Sequence, residues 1–173
     1  MAYTEPGEKD LKRELAYLNV LKRQGKDYSV LPNYYGSVST NLGTGHVYEL
    51  IKDFDGSQCK TLEDYCENEQ LLLQEFDMLV EKVNSLRDNL LKNSIITMGL
   101  FPENIIVQRG GGTEQVQLRV INDMGSAALI PLEYYFDFVA KIRIKKRWKR
   151  FLETLKHRYP STIIYKFVKN LKV

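Results

Sequence analysis

Apolar residues recur along the chain at two periods, and each change of period marks an element. From Asp10 onward, Leu11, Leu15, Leu18 and Leu21 fall at helical spacing, with Gly25 as the stop. The stretch VLPNYYGSVSTNLGTGHVYELIKDFDG then turns to sheet-forming residues. Tyr35–Thr40 and His46–Ile51 read as strands, Asn41–Gly45 as the turn between them, and Asp53–Ser57 as a further turn. At Thr61 a Thr-x-x-Asp start resembles a capping box. Leu72, Phe76, Leu79, Val83, Leu86 and Leu90 then predict one long helix ending at Asn93. Gly99 and Pro102 make IITMGLFPEN a loop. The β-rich runs IIVQ and VQLRVIND flank Gly110–Gly112 and predict an antiparallel hairpin from Ile105 to Asp123. After Pro131 a helical pattern runs through LEYYFDFVAKIRIKKRWKRFLETLKHRY, Pro160 interrupts it, and an apolar-basic segment, Ile163–Val173, follows. Met1–Lys9 reads as a frayed start, and no internal repeat or low-complexity stretch is present.

Composition bounds the class. With 173 residues, 43% hydrophobic and 27% charged, the chain has the makeup of a globular protein with one modest core. No stretch reaches the roughly 20 apolar residues of a membrane span, and no signal peptide is seen, so a cytoplasmic location is expected. Cys59 and Cys66 are expected to be free thiols, since His46 and His157 are remote in sequence and a zinc site needs more ligands. The net charge of +3 hides an asymmetry. Residues 141–173 hold 12 Lys and Arg against Glu153, a balance of +11, which leaves 3 − 11 = −8 for the rest. A basic tail of this kind suits an anionic membrane surface or another polyanion, or it docks on the acidic body of the same chain.

The chemistry-bearing stretch is TMGLFPENIIV…LRVINDMG. Helix, hairpin, long helix, loop, hairpin and Asp-x-Gly follow one another in the order of a protein kinase. In that layout a loop asparagine and the Asp-x-Gly aspartate hold Mg²⁺. Asn104 and Asp123 occupy those places, and hard cations want such oxygen ligands. Each alone reads as an ordinary loop residue; the order around the hairpin is what favours the metal-site reading. Glu49-Leu50-Ile51 falls at the place of the hinge, where backbone groups would meet the adenine of ATP; a plain strand edge is the equal alternative.

The strings KREL, YGSVSTNLGTGHVYELIKDFDG, IITMGLFPENI, INDMGSAALIPL and RWKRFL resemble the YrbL family of bacterial PhoP regulatory network proteins, from about Glu8 to Leu152. The resemblance implies a kinase-like fold. Three departures weigh against catalysis. Gly99 stands where the catalytic aspartate would lie, five residues before Asn104, and Thr97 where histidine is usual. No glycine-rich phosphate loop is found, since Gly43 and Gly45 lie in the hairpin after the first helix. Glu14 resembles the regulatory-helix glutamate, yet too few residues precede it for the three strands, about 30–40 residues, that would carry its lysine partner. Lys9 and Lys12 are read as surface residues of that helix.

The expected fold is α+β and protein-kinase-like. Residues 1–56 form a truncated N-terminal lobe, with a short antiparallel sheet and one helix, and residues 57–173 a mainly helical C-terminal lobe with basic terminal helices. The expected function is a degenerate kinase-like regulatory or binding module that takes nucleotide and Mg²⁺ weakly. A phosphotransferase on a small molecule or lipopolysaccharide-like sugar is the alternative if the native chain is longer at its start. A basic protein of the membrane surface is the third, with Trp148 at the boundary. Against that, Trp148, Phe151 and Leu155 are spaced to pack on the body.

Overall fold

The computed structural model describes residues 8–111, 115–126 and 131–173. The first helix, α1 (Glu8–Arg23), leads into the hairpin of β1 (Tyr34–Thr40) and β2 (Gly43–Tyr48). A two-residue strand, β3 (Lys60–Thr61), precedes α2 (Leu62–Glu67), α3 (Glu69–Gln74) and α4 (Phe76–Lys92). The 3-10 turn Pro102–Asn104 enters β4 (Ile105–Arg109), which pairs with β5 (Val116–Val120). The chain ends with α5 (Asp137–Arg158) and α6 (Thr162–Lys169). The class is α+β, with two small antiparallel sheets in the orders β1-β2 and β3-β4-β5.

Most of the pattern is realised. α1 runs to Arg23, and Gly25 beyond it adopts φ +63°, which only glycine takes freely. Thr61 caps α2 through a full capping box with Asp64. The second hairpin forms as expected on both sides of Gly110; Gly112 lies outside the described residues. Cys59 and Cys66 are buried and unbridged, and burial pushes both thiols up to about 12.

Two expectations are corrected. The helix expected to run unbroken to Asn93 is divided at Asn68 and Glu75. The Asn68 side chain accepts the Leu71 N–H at 3.0 Å, a local capping bond that wins over continuity. The apolar period reads through these breaks because Leu72, Leu79, Val83, Leu86 and Leu90 still face one core. The first hairpin turns tightly, with only Asn41 and Leu42 between its strands, and β2 stops at Tyr48. Leu50 is 76% exposed and Ile51 turns inward, so the strand does not extend to Ile51. Trp148 packs on the body, as its spacing predicts, rather than at a membrane boundary: it is 2% exposed and its indole N–H donates to the Lys172 carbonyl at 2.7 Å. Phe151 and Leu155 pack beside it, as their spacing requires.

The core gathers the inward faces of α2, α4, α5 and α6 with β4 and β5, and α1 enters it through Tyr17 and Leu21.

Candidate functional site

The loop from Ile95 to Phe101 and the turn after β5 lie side by side. Met98 N–H donates to the Asp123 carbonyl at 2.6 Å, Gly125 N–H donates to the Ile96 carbonyl at 2.9 Å, and Thr97 bridges Met124. These bonds hold the Asp-x-Gly turn against the loop that leads to Asn104. Asn104 is held from the other side, its carbonyl accepting the Ile121 N–H at 2.9 Å and its side-chain oxygen facing the Asn122 amide at 3.4 Å. Asn104 and Asp123 therefore stand at the two open ends of one hairpin.

The backbone here is unusual. Asn122 and Asp123 both take left-handed conformations, with φ +61° and +54°. Asn and Asp tolerate this better than other non-glycine residues, and such outliers concentrate at functional sites. Gly125 follows at φ +90°, and a Cβ there would lie 2.7 Å from the Tyr134 hydroxyl and 3.2 Å from Tyr17 Cβ. That hydroxyl accepts the Ser126 N–H at 2.8 Å. The Tyr17 hydroxyl donates to the Ser94 carbonyl and accepts the Ile96 N–H at 2.7 Å, and the two tyrosine rings meet tilted by 31° with centroids 4.7 Å apart. Burial raises the pKa of both phenols, so they stay protonated through the physiological range. Two tyrosines from separate elements thus clamp the turn, and neither was marked by its sequence spacing.

Gly99 lies under the ring of Phe101: a Cβ at that position would fall 2.1 Å from the ring edge. A side chain at position 99 would meet that ring, so glycine leaves room for Phe101 here.

A cavity of 220 Å³ adjoins the turn, lined by Glu14, Pro32, Tyr48, Glu49, Asn122 and Met124, among others. This is below the usual 300–1,000 Å³ of small-molecule pockets. Glu49 is committed structurally. Arg119 grips its carboxylate at 2.6 and 2.8 Å, Asn33 adds a side-chain and a backbone donor, and together they pull its pKa to about 2. The Glu49 N–H is also used, donating to the Asn33 carbonyl at 2.8 Å. Leu50 points to solvent and Ile51 to the core. Burial, and then the charge of Glu14, push the Tyr48 phenol up to about 12. Lys12 is exposed, as expected of a surface lysine.

The Asp123 carboxylate makes no hydrogen bond or ion pair among the described residues. Arg147 of α5 feels its field. Burial and the neighbouring Arg143 and Arg150 guanidiniums lower the pKa of Arg147, while Glu133 and Asp123 oppose that shift. Among the described residues no group of three or more His, Cys, Asp or Glu converges on a metal-sized space. A cation here would draw its ligands from the Asp123 carboxylate, the Asn104 side chain, water and the ligand's own oxygens.

The family model for PhoP regulatory network protein YrbL matches residues 1–156. The chain is 36% identical over 149 residues to protein YrbL of Escherichia coli (strain K12), covering 84% of this chain and 69% of that protein. The YrbL protein of Shigella flexneri matches to the same extent.

Proposed function

We propose that this chain, which belongs to the YrbL family of PhoP regulatory network proteins, is a degenerate kinase-like regulatory or binding module. In this reading it takes ATP with Mg²⁺ weakly and transfers no phosphoryl group. The observation that carries the reading is the pairing of Met98 with Asp123 and of Gly125 with Ile96. It supports a retained metal-site half: a turn held in left-handed geometry, an unengaged carboxylate, and an asparagine at the other end of the hairpin. The Phe101 ring over Gly99 supports the loss of the other half. A positioned base is typically worth about 10²–10⁴ in rate. Asn104 and Asp123 would hold Mg²⁺, which would supply neutralising charge for the phosphates. The 220 Å³ cavity suits a ring better than a whole nucleotide, which supports weak binding.

Calorimetry with ATP tests this. Binding heat that requires Mg²⁺ and disappears in Asp123→Ala is expected; heat unchanged by that substitution would overturn the site. Incubation with γ-labelled ATP and bacterial extract is expected to give no Asp123-dependent label transfer. Transfer that depends on Asp123 would instead establish the alternative, a phosphotransferase acting on a small molecule or lipopolysaccharide-like sugar.

A further inference from the structure

The segment from Leu132 to Ile142 turns five large apolar side chains to solvent. Leu132 is 50% exposed, Tyr135 70%, Phe136 58%, Phe138 74% and Ile142 51%. Single exposed apolar residues are ordinary, but five within eleven positions form a patch. None is needed to close the core, because the inward face of α5 is already supplied by Ala140, Ile144, Trp148, Phe151 and Leu155.

Along α5 the patch continues into charge. Phe138 and Ile142 lie four apart on the face opposite the core, and Lys145, Lys146 and Lys149 follow on that same exposed face, flanked by Lys141. The acids at the apolar end are already engaged. Asp137 is held by Lys26 at 2.9 Å, and Glu133 is buried, bonded to Ser126 and to Arg143 at 2.8 Å. Glu153, further along the ridge, is the one acidic residue of the tail.

We propose that this surface docks on an anionic lipid bilayer, with Tyr135, Phe136, Phe138 and Ile142 entering the interface and the lysine ridge lying on the headgroups. An apolar tip joined to a basic ridge is complementary to the two layers such a membrane presents: acyl chains beneath and negative headgroups above. A second copy of the chain is disfavoured as occupant, because two lysine ridges would face each other. A nucleic acid would satisfy the lysines but leave the tip in water. The inference stands apart from the nucleotide site, which lies on other residues. It also places the membrane contact on the exposed aromatics rather than on the buried Trp148.

The test is co-sedimentation of the full chain with vesicles of phosphatidylcholine, with and without phosphatidylserine. Binding is expected only to the anionic vesicles, and it should weaken as salt rises from about 0.1 to 0.5 M. Lys145→Glu with Lys149→Glu should reduce affinity by more than the about fivefold that each lysine contributes. Phe138→Ser should reduce it about tenfold. These side chains are exposed, so each variant should keep the parent circular dichroism. Phe138→Trp gives a reporter against the single buried Trp148, and a blue shift with anionic vesicles is expected. Failure to bind anionic vesicles overturns the proposal. So does binding that loses only to charge reversal and ignores Phe138→Ser, or equal binding to duplex DNA with no fluorescence shift on vesicles.

Discussion

Asp123 combines a left-handed backbone with a carboxylate that makes no hydrogen bond or ion pair among the described residues, so the proposed cation site would set stability against binding at one residue. A left-handed conformation costs a non-glycine residue of order 1 kcal/mol, while glycine adopts it freely. Asp123→Gly should therefore hold or raise stability by a few tenths to about 1 kcal/mol while abolishing Mg²⁺-dependent ATP heat. A lower urea midpoint for this variant would mean that the carboxylate holds the fold together rather than waiting for a cation. Two residues on, the sign reverses. Gly125→Ala places a Cβ 2.7 Å from the Tyr134 hydroxyl at φ +90°, and should cost about 2 kcal/mol in a urea melt with unchanged slope. The placement of Asn104 and Asp123 at the two ends of a hairpin was legible because Pro-x-Asn and Asp-x-Gly flank runs with a clear period of two. Tyr17 was not: it lies one position off the leucine stripe of α1, and its partners Ser94 and Ile96 are 77 and 79 residues away.

At the level of elements, Arg119 joins three pieces that the sequence presents separately. It leaves β5 to meet Glu49 just beyond β2 and the Leu31 carbonyl at 2.7 Å in the link after α1. The pair is largely shielded, with Arg119 9% and Glu49 20% exposed at the side chain. Arg119→Met should cost about 3 kcal/mol, because it strands a carboxylate away from water. The pH dependence follows from the depressed pKa. The pair's contribution is present above the ordinary 4.5 of an unfolded glutamate and is lost as pH falls toward about 2. Chemical denaturation of the wild type should show this acid limb, and Glu49→Gln should flatten it; an unchanged limb would place the acid sensitivity elsewhere. Hydrophobic period foretold that strands flank the Gly110 turn and that helices follow Thr61. It could not reveal the breaks at Asn68 and Glu75, since a capping bond interrupts the backbone without shifting the apolar stripe.

Over the whole molecule, the opposed charges of body and tail left docking on the same chain as one alternative beside an outside polyanion, and part of the tail does meet acidic residues of the body. Arg158 reaches Glu63 and Glu103, both at 2.8 Å, and Lys172 reaches Asp88 at 2.5 Å. Exposed pairs of this kind contribute only about 0–1 kcal/mol each. The last segment adds more by burial. Ile164, Phe167, Val168 and Leu171 are all 4% exposed or less, and Phe167 meets Phe76 edge-on at 5.9 Å. At about 1.5–3 kcal/mol for each fully buried side chain, these four are worth about 6–12 kcal/mol, comparable with the whole stability of a typical domain. Backbone and side-chain bonds finish the seam, from Lys172 N–H to Asn84 at 2.7 Å and from Arg87 to the Val173 carbonyl at 2.6 Å. Two consequences separate the forces. Raising salt to about 1 M should lower the melting temperature of the full chain little, because screening touches only the small term. Deleting residues 162–173 should abolish cooperative unfolding and expose dye-binding apolar surface around Trp148 and Phe76. If the deleted chain still melts cooperatively while salt alone unfolds the full chain, charge rather than burial holds the tail in place.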